Sequence, residues 1–223
     1  MSRSELENQL GDASAEESRR GFMKAAAALG AVSWVGFGAN LSSVSARETF
    51  PGEAREFREA FHSIVAHENA HVAFLVKALG KAARPKPTFQ GLRQNNRKDF
   101  IILARAFENT GSGAYLNAAP AINDPAYLSA AASIALVEAR HAGFVNVSTG
   151  APITLLNANF EAPITPDAVA KAVGPYVKSL NGGPALSYSS QRSDANDTAI
   201  LNFALALEYL EAEFYNINVP RFY

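Results

Sequence analysis

The sequence predicts an all-α fold, a four-helix bundle with long crossovers. Four long stretches repeat apolar residues at intervals of three and four. Capping and stop residues punctuate them. No segment sustains strand alternation, and no repeat of solenoid length occurs.

The first helix is expected from about Gly52 to Gly80, with Phe57, Phe61, Ile64, Val65, Val72 and Leu75 on its apolar side and Gly80 as C-cap. The second runs from about Asn95 to Ala119 and stops at Pro120. The third opens on "NDP", with Asn123 or Asp124 as N-cap and Pro125 in the first turn, and continues to about Val147. The fourth starts near Asp194 or Asp197 and is expected to end before Pro220. Between the third and fourth lies a long connection. It holds a short helix in "ITPDAVAKAVGPYV", with Thr165 as N-cap and Pro166 at its first position, and then turn-rich sequence. Four long helices with a short second-to-third link read as a four-helix bundle.

The segment before the first helix is not part of that fold. "SRRGFMK" at residues 18–24 precedes the apolar run "AAAALGAVSWVGFGANLSSVSA". A twin arginine, a modest hydrophobic stretch and a small-residue end form the pattern of a twin-arginine (Tat) export signal. Val44-Ser45-Ala46 is a cleavage site of the A-x-A type, so residues 1–46 form the signal and residues 47–223 the folded domain. The alternative is a membrane anchor or buried helix. Gly30, Ser33, Gly36 and Gly38 dilute the run, which is short for a stable span. The expected partner is therefore the Tat machinery, the expected location periplasmic or extracellular, and no stable membrane span remains after cleavage.

Composition excludes several kinds of chemistry. The chain carries 20 Lys and Arg against 21 Asp and Glu, so no basic excess points to nucleic acid. It has no cysteine, which removes disulfides, thiolate catalysis, iron–sulfur clusters and a lipoprotein anchor. Stability must then come from the core or from a bound metal.

The candidate site comes from carboxylates where apolar residues should be. In "HENAH", residues 67–71, Glu68 and His71 share a helix face and continue the stripe Phe61, Ile64, Glu68, His71, Leu75. In "EARH", residues 138–141, the stripe Ala131, Ile134, Glu138, His141, Val145 repeats the same substitutions. The second helix places Glu108 in the stripe Ile101, Ala104, Glu108, Gly111, Tyr115. The fourth places Glu208 and Glu211 in Leu201, Ala204, Glu208, Glu211, Tyr215. A lone E-x-x-H ordinarily marks a surface ion pair or a satisfied core histidine. The full set is different. Several bare carboxylates in one core cost many kcal/mol, which two divalent cations would offset. One Glu from each of two helices plus E-x-x-H from each of the other two is the ligand set of di-iron and di-manganese carboxylate bundles. Hard carboxylates with only two imidazoles favour Fe or Mn over Cu or Zn.

"HENAHVAFLVKALG", "AFENTGSGAYLNAAPAI", "AASIALVEARHAGFVN", "ITPDAVAKAVGPYV" and "ILNFALALEYLEAEFY" cover most of residues 53–216. In these segments the chain resembles the ferritin-like superfamily, and more closely its exported branch of desiccation-related proteins. The resemblance departs in order. The segment "ILNFALALEYLEAEFY" resembles the usual first helix yet stands last, so the chain looks circularly permuted. Residues 81–94 can span about 45 Å when extended, enough for one crossover, and residues 149–196 amply supply the other.

The resemblance also ranks the glutamates of the last helix. Asn202, Glu208 and Tyr215 match a family spacing, which makes Glu208 the ligand, Glu211 a reserve and Tyr215 a neighbour of the metals, either as a core aromatic or in a redox or hydrogen-bonding role. The implied ligands are Glu68, His71, Glu108, Glu138, His141 and Glu208. His67 and His62 are expected at the surface or behind the ligands. Gly111 and Gly113, inside a helix, leave space beside the metals or allow close helix packing.

The implied function is an oxidoreductase acting on peroxide, O₂ or ferrous iron: peroxidase, catalase-like or ferroxidase. The alternative is a non-enzymatic metal-binding stress or desiccation protein. A homodimer through helix faces is the default expectation for assembly.

Overall fold

The computed structural model describes residues 53–223. The export signal and its cleavage after Ala46 lie outside the described residues. The chain forms helices α1 (Glu53–Leu79), α2 (Arg97–Ala118), α3 (Pro125–Ser148), α4 (Pro166–Val173) and α5 (Asp194–Phe222), with short strands β1 (Thr88–Phe89) and β2 (Val177–Ser179).

The caps act as their residue types dictate. Asn96 accepts from the Asp99 amide, Asp124 from Ala126, Thr165 from Ala168 and Ser193 from Asn196. Gly80 adopts φ +56° where α1 ends, a conformation that favours glycine. The last helix corrects one expectation. α5 runs through Pro220 to Phe222. A proline in the final turn forfeits a single backbone hydrogen bond and leaves few carbonyls beyond it to hold.

α1 packs antiparallel on α5. Phe61 meets Tyr215 and Tyr223, His71 meets Glu208, and Arg84 just past α1 meets Asn202. α2 packs antiparallel on α3 in the same way, with Asn109 bonded to Asn146 at one end and Tyr115 and Ala131 in one cluster at the other. The pairs face each other through Phe61 on Phe144 and Phe107 on Phe214. α1 and α2 therefore run parallel, and each parallel connection must travel the bundle's length.

The first crossover runs along α5. Asn202 accepts the Arg84 amide at 2.7 Å and donates to the Ala82 carbonyl, while Asn218, about four turns further along, accepts the Gln94 amide and donates to Leu92. The second crossover carries α4 and is tied to the first by the antiparallel pair β1–β2. Strands this short hold no alternation that a sequence reading can detect. The short α2–α3 link is fastened by buried Asp197, whose two carboxylate oxygens accept the amides of Asn123 and Asp124 at 2.7 and 2.8 Å.

Two apolar clusters fill the bundle. One gathers Phe61, Ile64, Phe100, Phe107, Val145 and Phe214; the other Leu75, Ala118, Ile122, Ile134, Leu201 and Leu205. Between them lies the polar band. Among the described residues no helix is long and apolar enough to cross a membrane.

Candidate metal centre

Glu68, Glu108, Glu138 and Glu208 are fully shielded from solvent, and His71 and His141 nearly so. Each continues an apolar stripe, so the packing that buries the stripe carries it inward. The residues form two groups of ligand atoms. Glu68, Glu108, Glu138 and His141 make one and Glu68, His71, Glu138 and Glu208 the other, with all atoms of a group within 4.8 Å of one another. Glu68 and Glu138, the carboxylates of the two E-x-x-H helices, belong to both. Glu108 and Glu208 belong to one each.

His71 Nδ1 lies 3.4 Å from Glu68, 3.1 Å from Glu138 and 3.2 Å from Glu208. His141 Nδ1 lies 2.9 Å from Glu68 and 3.5 Å from Glu108. Both oxygens of Glu68, both of Glu138, Glu108 Oε2 and His141 Nδ1 are buried without a hydrogen-bond partner. Protein interiors rarely leave such atoms unanswered, because each costs its desolvation. Six converging donors of hard oxygen and imidazole nitrogen fit divalent cations.

The model of the ferritin-like domain matches residues 35–151 and 196–222. This chain belongs to the ferritin-like domain family. No curated protein and no solved structure gives a significant match. Between the two matched parts of this ferritin-like chain, residues 152–195 take in most of the second crossover and the first two residues of α5.

Two tyrosines hold the glutamates that lack a histidine on their own helix. Tyr215 of α5 donates to Glu108 Oε1 of α2, and Tyr115 of α2 donates to Glu208 Oε1 of α5, each at 2.5 Å. Tyr215 is thus both core aromatic, against Phe100 and Phe214, and hydrogen-bond donor. Tyr115 was visible in the α2 stripe without a role. The signal was the spacing: each glutamate is followed seven residues later by a tyrosine, 108 to 115 and 208 to 215. One oxygen of each terminal carboxylate is fixed by a hydroxyl, and the other is left toward the centre.

Glu211 is buried beside this band but belongs to neither group. A methyl placed on Gly111 would lie 3.2 Å from Glu211 Oε1 and 3.3 Å from Glu138 Oε2. A methyl on Gly113 would lie 2.5 Å from Ile164 Cγ1 and 2.9 Å from the Ala162 carbonyl oxygen. The two glycines therefore answer to different needs: Gly111 makes room for carboxylates, and Gly113 lets the second crossover close onto α2, where the Ile164 amide bonds the Gly113 carbonyl.

Charge follows from this packing. Burial raises Glu68, but the His141 and His71 rings outweigh it and hold the acid at about 2. Burial lowers both imidazoles, yet surrounding carboxylates lift His71 to about 12 and His141 to about 11. Burial pushes Glu208 up to about 7, and burial with the charges of neighbouring glutamates pushes Glu138 and Glu211 well above the carboxylate range. The centre balances itself with protons wherever a cation does not do so.

His62 is exposed, as expected. His67 is exposed too, yet its Nδ1 lies 2.9 Å from His141 Nε2.

Proposed function

We propose that this protein is an exported oxidoreductase whose dinuclear iron or manganese centre is bridged by carboxylates and acts on peroxide, O₂ or ferrous iron. The observation that carries the reading is the sharing of Glu68 and Glu138 between the two ligand groups. Glu68 and Glu138 would hold two ions in common, and such a pair would supply two-electron redox chemistry toward a small oxidant. Glu108 with His141 would complete one ion's shell, and Glu208 with His71 the other's. Tyr215 and Tyr115 orient the terminal carboxylates. The apolar layers on either side keep bulk water from the band. An apolar pocket lined by Phe74, Leu75, Ala114, Tyr115, Ala118 and Leu207 adjoins the Tyr115 side, and a small uncharged oxidant fits its character.

Export by the Tat route, membership of the desiccation-related branch and circular permutation, with α5 in the place of the usual first helix, belong to this proposal. The antiparallel pairing of α5 with α1 supports the last. Metal-loaded protein should consume peroxide or oxidise ferrous iron, and Glu138→Ala should abolish that turnover. Identical behaviour of the two proteins would overturn the enzymatic reading.

A second reading is favoured by the unpartnered carboxylate oxygens: the ions act as a structural staple in a stress protein. Chelator-stripped protein that keeps its helicity and melting point would exclude it.

A further inference from the structure

Consecutive residues of α1 engage both nitrogens of His141. Glu68 Oε1 faces Nδ1 at 2.9 Å, and His67 Nδ1 faces Nε2 at 2.9 Å. The His67 and His141 rings are parallel within 6° and their centroids stand 5.2 Å apart. That separation is accounted for by the N···N distance and the two ring radii. The rings therefore lie end to end in one plane, the geometry of a linear N–H···N hydrogen bond. His67 is exposed and belongs to neither ligand group. His71 has no counterpart among the described residues, since its polar contacts all run through Nδ1.

We propose that His67 is a positioning residue for the Glu108–His141 half of the centre, accepting the Nε2–H of His141 at its own Nδ1. The proposal rests on the metal-binding reading above. An imidazole that binds a cation through Nδ1 must carry its remaining proton on Nε2. Two neighbours compete for that proton: the Glu68 charge lies beside Nδ1 without hydrogen-bonding it, and His67 hydrogen-bonds Nε2. Glu68 draws it to Nδ1, which blocks the nitrogen that faces Glu68 and Glu108. His67 draws it to Nε2 and leaves the Nδ1 lone pair free. His67 also fixes the ring plane from the solvent side.

The test uses full-length protein stripped with chelator and titrated with Mn²⁺ by calorimetry. His67→Leu removes the acceptor at an exposed position. His67→Asn keeps one, because Asn Oδ1 stands as many bonds from Cα as His Nδ1. His67→Leu is expected to weaken one of two bound ions by about 10- to 100-fold and spare the other, with unchanged helicity. His67→Asn is expected to retain the parental affinity at both. Parental affinity in His67→Leu, equal weakening of both ions, or an Asn variant as weak as the Leu variant would each overturn the proposal. Parent protein that binds no divalent ion would instead overturn the metal-centre reading itself.

Discussion

Tyr215 of α5 donates a 2.5 Å hydrogen bond to Glu108 of α2, and Tyr115 of α2 returns the same bond to Glu208 of α5. Each helix thus holds the other's carboxylate. Burial and the adjacent glutamate charges push both phenols well above 10, so each remains a donor at any working pH. Tyr215→Phe strands a buried carboxylate oxygen. We expect it to destabilise metal-free protein by about 1–3 kcal/mol in urea unfolding, with Tyr115→Phe costing a similar amount.

The shared carboxylates should differ from the terminal ones in metal content per chain. Glu138→Gln is expected to weaken both ions, Glu208→Gln mainly one, and Glu211→Gln neither. Elemental analysis of dialysed variants decides this. Loss of an ion in Glu211→Gln would promote Glu211 from reserve to ligand.

The two helix glycines should separate in their effects. Gly113→Ala sets a methyl against Ile164 and the Ala162 carbonyl, and overpacking against backbone costs about 1–3 kcal/mol. Its metal stoichiometry should not change. Gly111→Ala gains helix propensity of about 1 kcal/mol, but its methyl presses on the Glu211 and Glu138 carboxylates. Its melting point should hold while its metal affinity falls. Thermal melts and metal titrations on the same samples make the comparison.

Metal-stripped protein should lose stability as pH rises. His71 and His141, lifted from 6.5 to about 12 and about 11, give stability that is complete below 6.5 and lost as pH climbs through those values. Glu208, raised from 4.5 to about 7, gives stability complete below 4.5 and lost by about 7. Glu68, lowered from 4.5 to about 2, works oppositely: its contribution is present above 4.5 and fades as pH falls through about 2. Melting points of stripped protein should peak near mildly acid pH and decline toward pH 9. Metal affinity should rise over the same interval, because each ion must displace these protons. A stripped protein whose melting point climbs from pH 6 to pH 9 would contradict this balance.

Much of this architecture is legible in the chain. The stripe positions of Glu68, His71, Glu108, Glu138, His141 and Glu208 follow from helical periodicity alone, since any residue in register with Phe61 or Ile134 must turn inward when the stripe is buried. Asp124 and Thr165 mark helix starts by side-chain chemistry that acts within four residues. The extent of α5 beyond Pro220 was not legible, because a proline's cost depends on how many helical bonds lie beyond it.

Local sequence therefore determined the helices, the inward carboxylates and the ligand chemistry on offer, because periodicity, capping and residue type act over a few turns. Only the tertiary structure decided which atoms meet. It joined Tyr215 to Glu108 and Tyr115 to Glu208 across antiparallel helices, gave Glu68 and Glu138 to both groups, and left Glu211 outside them. It also assigned Gly111 to the carboxylates and Gly113 to the crossover, and turned an exposed His67 toward His141. The Tyr215–Glu108 pair alone joins residues 107 positions apart. Such pairings depend on helix register and crossover length, which no stretch of a few turns encodes.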